Sequence, residues 1–203
     1  MNGLTGYYFV TDTQLSRAGN VSDVKSAVAA GVKVVQYRRK EAAAAVLYDE
    51  AMALRKICRG SLFLINDRVD IAMAVDADGV HLGQDDLPLL VARSLLGPHK
   101  IIGVTVHSVA EARRAKTLGA DYLGVSPIYA TQTKPDAGPP AGLELIRRIK
   151  AAVQLPLVAI GGIHLGNASE VVRAGADALC AISAVVTRND AAAEIRKFQS
   201  LFR

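Results

Sequence analysis

Thr131, Thr133 and Lys134 put two hydroxyls at alternate positions with an ammonium directly behind them, inside the stretch SPIYATQTKPD (126–136). Such donors suit phosphate oxygens, and the flanking Pro and Gly shape the stretch as a loop. Alone, a loop of this kind can equally be a solvated connection. Gln36, Arg38 and Lys40 also alternate, so in an extended chain they share a side while Tyr37 and Arg39 take the other. Arg38, Lys40 and Lys134 together carry more positive charge than one monophosphate needs and suit a diphosphate. Asp67, behind Asn66, and Asp86 offer hard oxygens, and two carboxylates with phosphate oxygens are a common way to hold Mg²⁺. Each aspartate also precedes a predicted helix and can cap it instead, or do both. Gly162 lets a backbone N–H approach a phosphate, and Ser183 adds a donor. His107 can act as a general acid or base, or simply precede the Ser cap of a helix. His81, inside an apolar run, reads as a hydrogen-bonded interior residue, and His164 as loop surface.

The elements that must position these residues are legible as an alternation. GYYFVTD, VKVVQYRR, SLFLIN, GVHLG, KIIGVTV, DYLGVS, LPLVAI and DALCAIS read as short apolar strands. Segments with helical spacing separate them, among them EAAAAVLYDEAMALRKIC and SVAEARRAKTLG, the latter with a Ser cap and a Glu three residues on. Continuous apolar strands are what a parallel sheet buried on both faces requires. About eight β-then-α units in 203 residues predict a compact α/β (β/α)₈ TIM barrel, one domain over 1–203 with few insertions. An open doubly wound sheet is the alternative, but Gly161-Gly162 is no G-x-G-x-x-G fingerprint. Nearly every candidate falls after a strand, on the rim where barrel chemistry is found: Gln36, Arg38, Lys40, Asn66, Asp67, Asp86, Thr105, Thr131, Thr133, Lys134, Gly162, Ile182 and Ser183. Loops after strands seven and eight are the usual phosphate cradle of this fold, so two anion sites at one mouth suggest two phosphorylated substrates. Asp78, Asp121 and Asp177 instead repeat as Ala-Asp just before a strand and read as turn and cap residues on the opposite, stabilising face.

Composition removes several classes. Hydrophobic residues make up 51%, which excludes a disordered chain. A net charge of +5 favours anionic partners, but Lys and Arg are scattered with no basic stripe interleaved with aromatics, so nucleic acid is not expected. No apolar run reaches membrane-spanning length and no leader is evident. Cys58 and Cys180 show neither metal spacing nor a reason to pair, consistent with a soluble protein of the cytoplasm. The sequence does not decide between a monomer and a homo-oligomer.

Gln36-x-Arg38-x-Lys40, Asn66-Asp67-Arg68, ADGVHLGQDD ending at Asp86, GVTVH, Thr131-x-Thr133-Lys134, AIGGI and Ile182-Ser183, in this order, together resemble the thiamin-phosphate synthase family. The resemblance implies a transferase that condenses 4-amino-5-hydroxymethyl-2-methylpyrimidine diphosphate with a thiazole phosphate, giving thiamin monophosphate and pyrophosphate through a pyrimidine-stabilised cation. It implies that Gln36, Arg38, Lys40, Asn66, Thr105 and Lys134 hold the pyrimidine diphosphate, with Arg38, Lys40, Lys134 and Thr105 acting in catalysis. Asp67 and Asp86 would hold one Mg²⁺, and Thr131, Thr133, Gly162, Ile182 and Ser183 the thiazole phosphate. The chain departs from the family's pattern with Thr105 in place of a usual Ser, Arg39 in place of a frequent Glu, and a shorter segment between Lys40 and Asn66. Two alternatives remain at this level: a thiazole tautomerase of the same superfamily moving a proton through His107, and a non-catalytic barrel that binds such a phosphate as a regulator.

Overall fold

The structure is a computed structural model and describes residues 4–133 and 138–202. The strands are β1 (Gly6–Val10), β2 (Val34–Tyr37), β3 (Leu62–Asn66), β4 (Gly79–Leu82), β5 (Ile101–Val106), β6 (Tyr122–Val125), β7 (Leu157–Ile160) and β8 (Ala178–Cys180). Between and after them run α1 (Asn20–Ala29), α2 (Ala44–Ile57), α3 (Val69–Ala74), α4 (Leu89–Leu96), α5 (Val109–Thr117), α6 (Gly142–Ala152), α7 (Leu165–Arg173), α8 (Ile182–Val186) and α9 (Ala191–Gln199). All neighbouring strands pair in parallel, and β8 pairs with β1, so the sheet closes in the order β1 to β8: the expected (β/α)₈ barrel.

Two packed layers follow from the strand parity. Residues facing outward, such as Phe9, Val35, Phe63, Val80 and Leu123, form with the helices the larger core. Residues facing inward, including Tyr8, Val34, Leu64, Tyr122, Val158 and Cys180, form a smaller core inside the barrel. Both thiols are buried and unpaired. Among the described residues no helix is long and apolar enough to cross a membrane.

The Ala-Asp repeat does the structural work expected of it at the N-terminal end of the strands. Asp78 accepts from the Phe63 N–H (2.7 Å), Asp121 from the Ile102 N–H (2.8 Å) and Asp177 from the Leu157 N–H (2.8 Å). Each therefore satisfies a neighbouring strand's N–H group near its start, which would otherwise be left unpaired at the barrel floor. A helix cation completes each acceptor: Arg55 for Asp78, Arg93 for Asp121 and Lys150 for Asp177.

Candidate active site

The C-terminal ends of the strands open into one funnel enclosing about 1070 Å³ of space continuous with solvent. Its wall brings together Gln36, Arg38, Lys40, Asn66, Asp67, Asp86, Thr105, Thr131, Thr133, Gly162, Ile182 and Ser183. Those side chains come from seven different strand ends, so only barrel closure can assemble them. Lys134 lies outside the described residues.

On β2 the alternation holds as expected. Arg39 turns outward to pair with Glu50 of α2, which also accepts from the Tyr37 hydroxyl at 2.6 Å. Gln36 and Arg38 turn inward. Thr11, just past β1, ties down the Arg38 backbone, accepting from its N–H at 2.8 Å and donating to its carbonyl at 3.2 Å. Asp12, 6% exposed, lies 3.6 Å from the Arg38 guanidinium. Sequence reasoning missed Asp12; the signal was there, an acid after β1 on the same rim as the other polar residues.

Asp67 is not a helix cap: α3 begins after Arg68, and no side chain caps it. Asp67 sits at φ 60, where a non-glycine residue is strained, and the Arg68 N–H bridges back to the Asn66 carbonyl at 2.7 Å in a γ-turn around it. The turn directs the carboxylate beside Asp86. Asp86 is likewise no cap, since α4 follows Pro88; it accepts from the Gly83 N–H at 2.6 Å. Burial first, then the hydrogen bond and charge of Asp86, push the Asp67 carboxyl up to about 7, against the pull of Lys40 and Arg38. Two carboxylates that resist sharing a site call for a cation between them. Among the described residues no cluster of three or more His, Cys, Asp or Glu could hold a metal alone, so water and phosphate oxygens would complete the shell. That donor set suits Mg²⁺, which keeps several waters and borrows substrate oxygens.

On the opposite wall the Thr133 N–H reaches the Thr131 hydroxyl at 3.2 Å, a turn that holds both hydroxyls on the funnel. Gly162 has φ 63, and an added Cβ would stand 2.5 Å from the Ala130 carbonyl and 2.7 Å from Tyr129 Cβ. Its lack of a side chain thus lets the loops after β6 and β7 pack together. Ile182 and Ser183 do not end a strand as expected. β8 stops at Cys180, and these residues open the short helix α8, whose first N–H groups have no intrahelical partner.

Three histidines separate clearly. His81 lies inside the barrel and joins the funnel wall through hydrogen bonds to Tyr122 and Thr105. His107 is exposed and outside the funnel lining; its Nδ1–H donates to the Ser126 carbonyl at 2.6 Å. That bond commits Nδ1 to the backbone of Ser126, itself a lining residue, and leaves only Nε2 for exchange with solvent or ligand. His164 is more than loop surface: it caps α7, with Nδ1 accepting from Gly166 N–H at 3.1 Å.

Comparison with known proteins agrees with this geometry. The chain is 50% identical over 198 residues to "Thiamine-phosphate synthase" of Methanosarcina barkeri, covering 97% of this chain and 90% of that one. It is 49% identical to the protein of the same name from Chloroflexus aurantiacus, covering 96% and 91%. Among solved structures, "Thiamine phosphate pyrophosphorylase" of Pyrococcus furiosus superposes with a TM-score of 0.90 at 39% identity, covering 98% of this chain and 96% of that one. A 3-hexulose-6-phosphate synthase at 15% identity and TM-score 0.70 shares the fold only. The sequence model described as "Thiamine monophosphate synthase" matches residues 7–185, and the chain belongs to that family.

Proposed function

We propose that this chain is a thiamine-phosphate synthase, a transferase joining 4-amino-5-hydroxymethyl-2-methylpyrimidine diphosphate to a thiazole phosphate with release of pyrophosphate. The observation that carries the reading is the meeting, in one funnel, of two cationic side chains, a carboxylate pair and two hydroxyl-bearing walls. In it, Arg38 and Lys40, with Lys134, hold the diphosphate and neutralise the charge that grows on the leaving pyrophosphate. Asn66 and Thr105 donate to the same group, and Gln36 meets the pyrimidine ring. Across the funnel Thr131, Thr133, Gly162, Ile182 and Ser183 hold the thiazole phosphate, Ile182 through its backbone.

Asp67 and Asp86 would hold Mg²⁺, which supplies further charge neutralisation at the diphosphate. Preorganised groups of this kind are worth several kcal/mol at a developing anion. As the C–O bond to pyrophosphate breaks, positive charge collects on the pyrimidine methylene. The thiazole nitrogen then attacks with its lone pair; it carries no proton, so the chain needs no general base for the bond-forming step. The free thiols suit the reducing cytoplasm, where this reading puts the enzyme.

Purified protein incubated with both substrates and Mg²⁺ tests the proposal. Thiamin monophosphate and one equivalent of pyrophosphate should appear, and both should vanish in EDTA. Tight binding of a thiazole phosphate with no turnover would replace the enzyme by a binding protein. Isomerisation of the thiazole phosphate alone would replace the synthase by a tautomerase.

A further inference from the structure

A line of hydrogen bonds crosses the barrel interior at the base of the funnel. Gln36 Nε2 donates to the Tyr8 hydroxyl at 2.8 Å, and the Tyr8 and Tyr122 hydroxyls are 2.7 Å apart. Tyr122 Oη lies 2.8 Å from His81 Nδ1, and His81 Nε2 lies 2.8 Å from Thr105 Oγ1. Two glycines make room for it. A Cβ at Gly103 would fall 2.0 Å from the Tyr122 ring, and one at Gly124 would fall 3.0 Å from His81 Cε1 and 3.6 Å from Thr105 Oγ1. Every member lines the funnel.

Hydrogen counting gives the line a direction. Burial holds both phenols far above their ordinary range, so each keeps its hydrogen. With the Gln36 N–H aimed at Tyr8 and every hydrogen kept within the line, the Tyr8 hydrogen goes to Tyr122, that of Tyr122 to His81 Nδ1, and, at a pH where His81 is neutral, its single N–H to Thr105 Oγ1. The Thr105 hydroxyl hydrogen is then left to donate into the funnel. If the Gln36 amide turns, its carbonyl accepts from Tyr8 and every link reverses. His81 becomes the Nδ1–H tautomer, and the Thr105 hydrogen is consumed at Nε2. The number of O–H and N–H hydrogens is the same in both states.

We propose that His81, with Tyr8 and Tyr122, is a positioning residue: the line is a directional relay through which the orientation of the Gln36 amide sets whether Thr105 can donate to an anionic ligand. Among the described residues the Gln36 carbonyl oxygen accepts no hydrogen bond from another side chain, so it is available to a ligand's donor. A pyrimidine with an amino group there keeps Nε2 on Tyr8 and Thr105 as a donor. A pyrimidine with an oxo group there draws Nε2 away and reverses the relay, so the site selects aminopyrimidines at a distance from the ring. This consequence rests on the reading of Gln36 and Thr105 as ligands of the pyrimidine diphosphate; the relay itself does not.

Nitrogen-15 NMR of the histidine rings in the full chain, at about pH 8.5 where an ordinary imidazole is neutral, tests both levels. His81 of the ligand-free protein should be mainly the Nε2–H tautomer, and Gln36→Glu, which shows Tyr8 only acceptors, should convert it mainly to Nδ1–H. In the unaltered protein, 4-amino-5-hydroxymethyl-2-methylpyrimidine should preserve Nε2–H, and its 4-oxo analogue should move the majority to Nδ1–H. An Nδ1–H tautomer in the free protein overturns the relay, as does one unchanged by a folded Gln36→Glu variant. If that variant does not fold, the two pyrimidines decide. Should both bind by calorimetry and leave the tautomer alike, coupling to the ligand is overturned. Should neither bind while the free-protein tautomer is as expected, the relay stands and the assignment of the pyrimidine site falls.

Discussion

Gly162→Ala isolates what the packing of the loops after β6 and β7 requires of the funnel wall. Two costs apply. An L-residue at φ 63 pays about 1–2 kcal/mol for the left-handed backbone. Its Cβ also meets the Ala130 carbonyl at 2.5 Å and Tyr129 Cβ at 2.7 Å. Because those atoms belong to the backbone and its first side-chain carbon, they cannot swing aside, and overpacking costs about 1–3 kcal/mol. The lost freedom of the unfolded chain returns about 0.4–1 kcal/mol. The net expectation is about 2–4 kcal/mol. Gly31→Ala is the control: φ there is 79, and an added Cβ meets nothing within 4 Å, so only the backbone cost applies. For a chain of this size the difference between the two variants should appear as a melting temperature roughly 2–12 °C lower for Gly162→Ala. Steady-state kinetics should show the KM for the thiazole phosphate raised several-fold and that for the pyrimidine diphosphate little changed. Equal melting temperatures for the two alanine variants would refute the collision between the loops after β6 and β7.

Other perturbations address the remaining parts of the site. With its folded value raised to about 7, Asp67 contributes stability that is fully present below about pH 4 and lost as pH rises through 7. Melting curves in EDTA should therefore show the difference between Asp67→Asn and the unaltered protein growing in the variant's favour from pH 5 to pH 8. Mg²⁺ should raise the melting temperature of the unaltered protein more at pH 8 than at pH 5, and an equal shift at both would count against a shared cation. Asp12→Asn keeps an acceptor for the Gln14 and Leu15 N–H groups but removes the charge beside Arg38. It should lower kcat about tenfold, ~1.4 kcal/mol, with KM nearly constant; a rise in KM at constant kcat would make Asp12 a contributor to substrate binding only. Asp177→Ala strips the Leu157 N–H and Lys150 of their acceptor at the far end of the barrel. It should cost about 2 kcal/mol of stability by thermal melting and leave kcat unchanged; a loss of kcat in folded protein would contradict the separation of the two ends.

What the sequence determined by itself is the alternation of buried strands with helices, the side of each strand that its polar residues take, and the rim on which they gather. These are local matters: strand parity, helical period and turn residues are written in neighbouring positions, which is why Gln36, Arg38 and Asp86 could be placed and Asp177 could be assigned to the opposite end. Only the tertiary structure decided which of those side chains meet. Tyr8 and Tyr122 read as ordinary members of apolar strands, and His81 as a hydrogen-bonded interior residue whose partners the sequence does not name. Their hydrogen-bonded line exists because barrel closure brings residues 41 and 114 positions apart into contact and glycines at 103 and 124 leave the space. The same holds for His107, whose type suggested proton transfer and whose Nδ1 the packing commits to the Ser126 carbonyl. It holds too for Asp67, where a strained backbone angle rather than a capping pattern sets the direction of the carboxylate. Contacts between distant inward-facing side chains depend on how the strands are staggered around the closed ring, and no window of neighbouring residues carries that information.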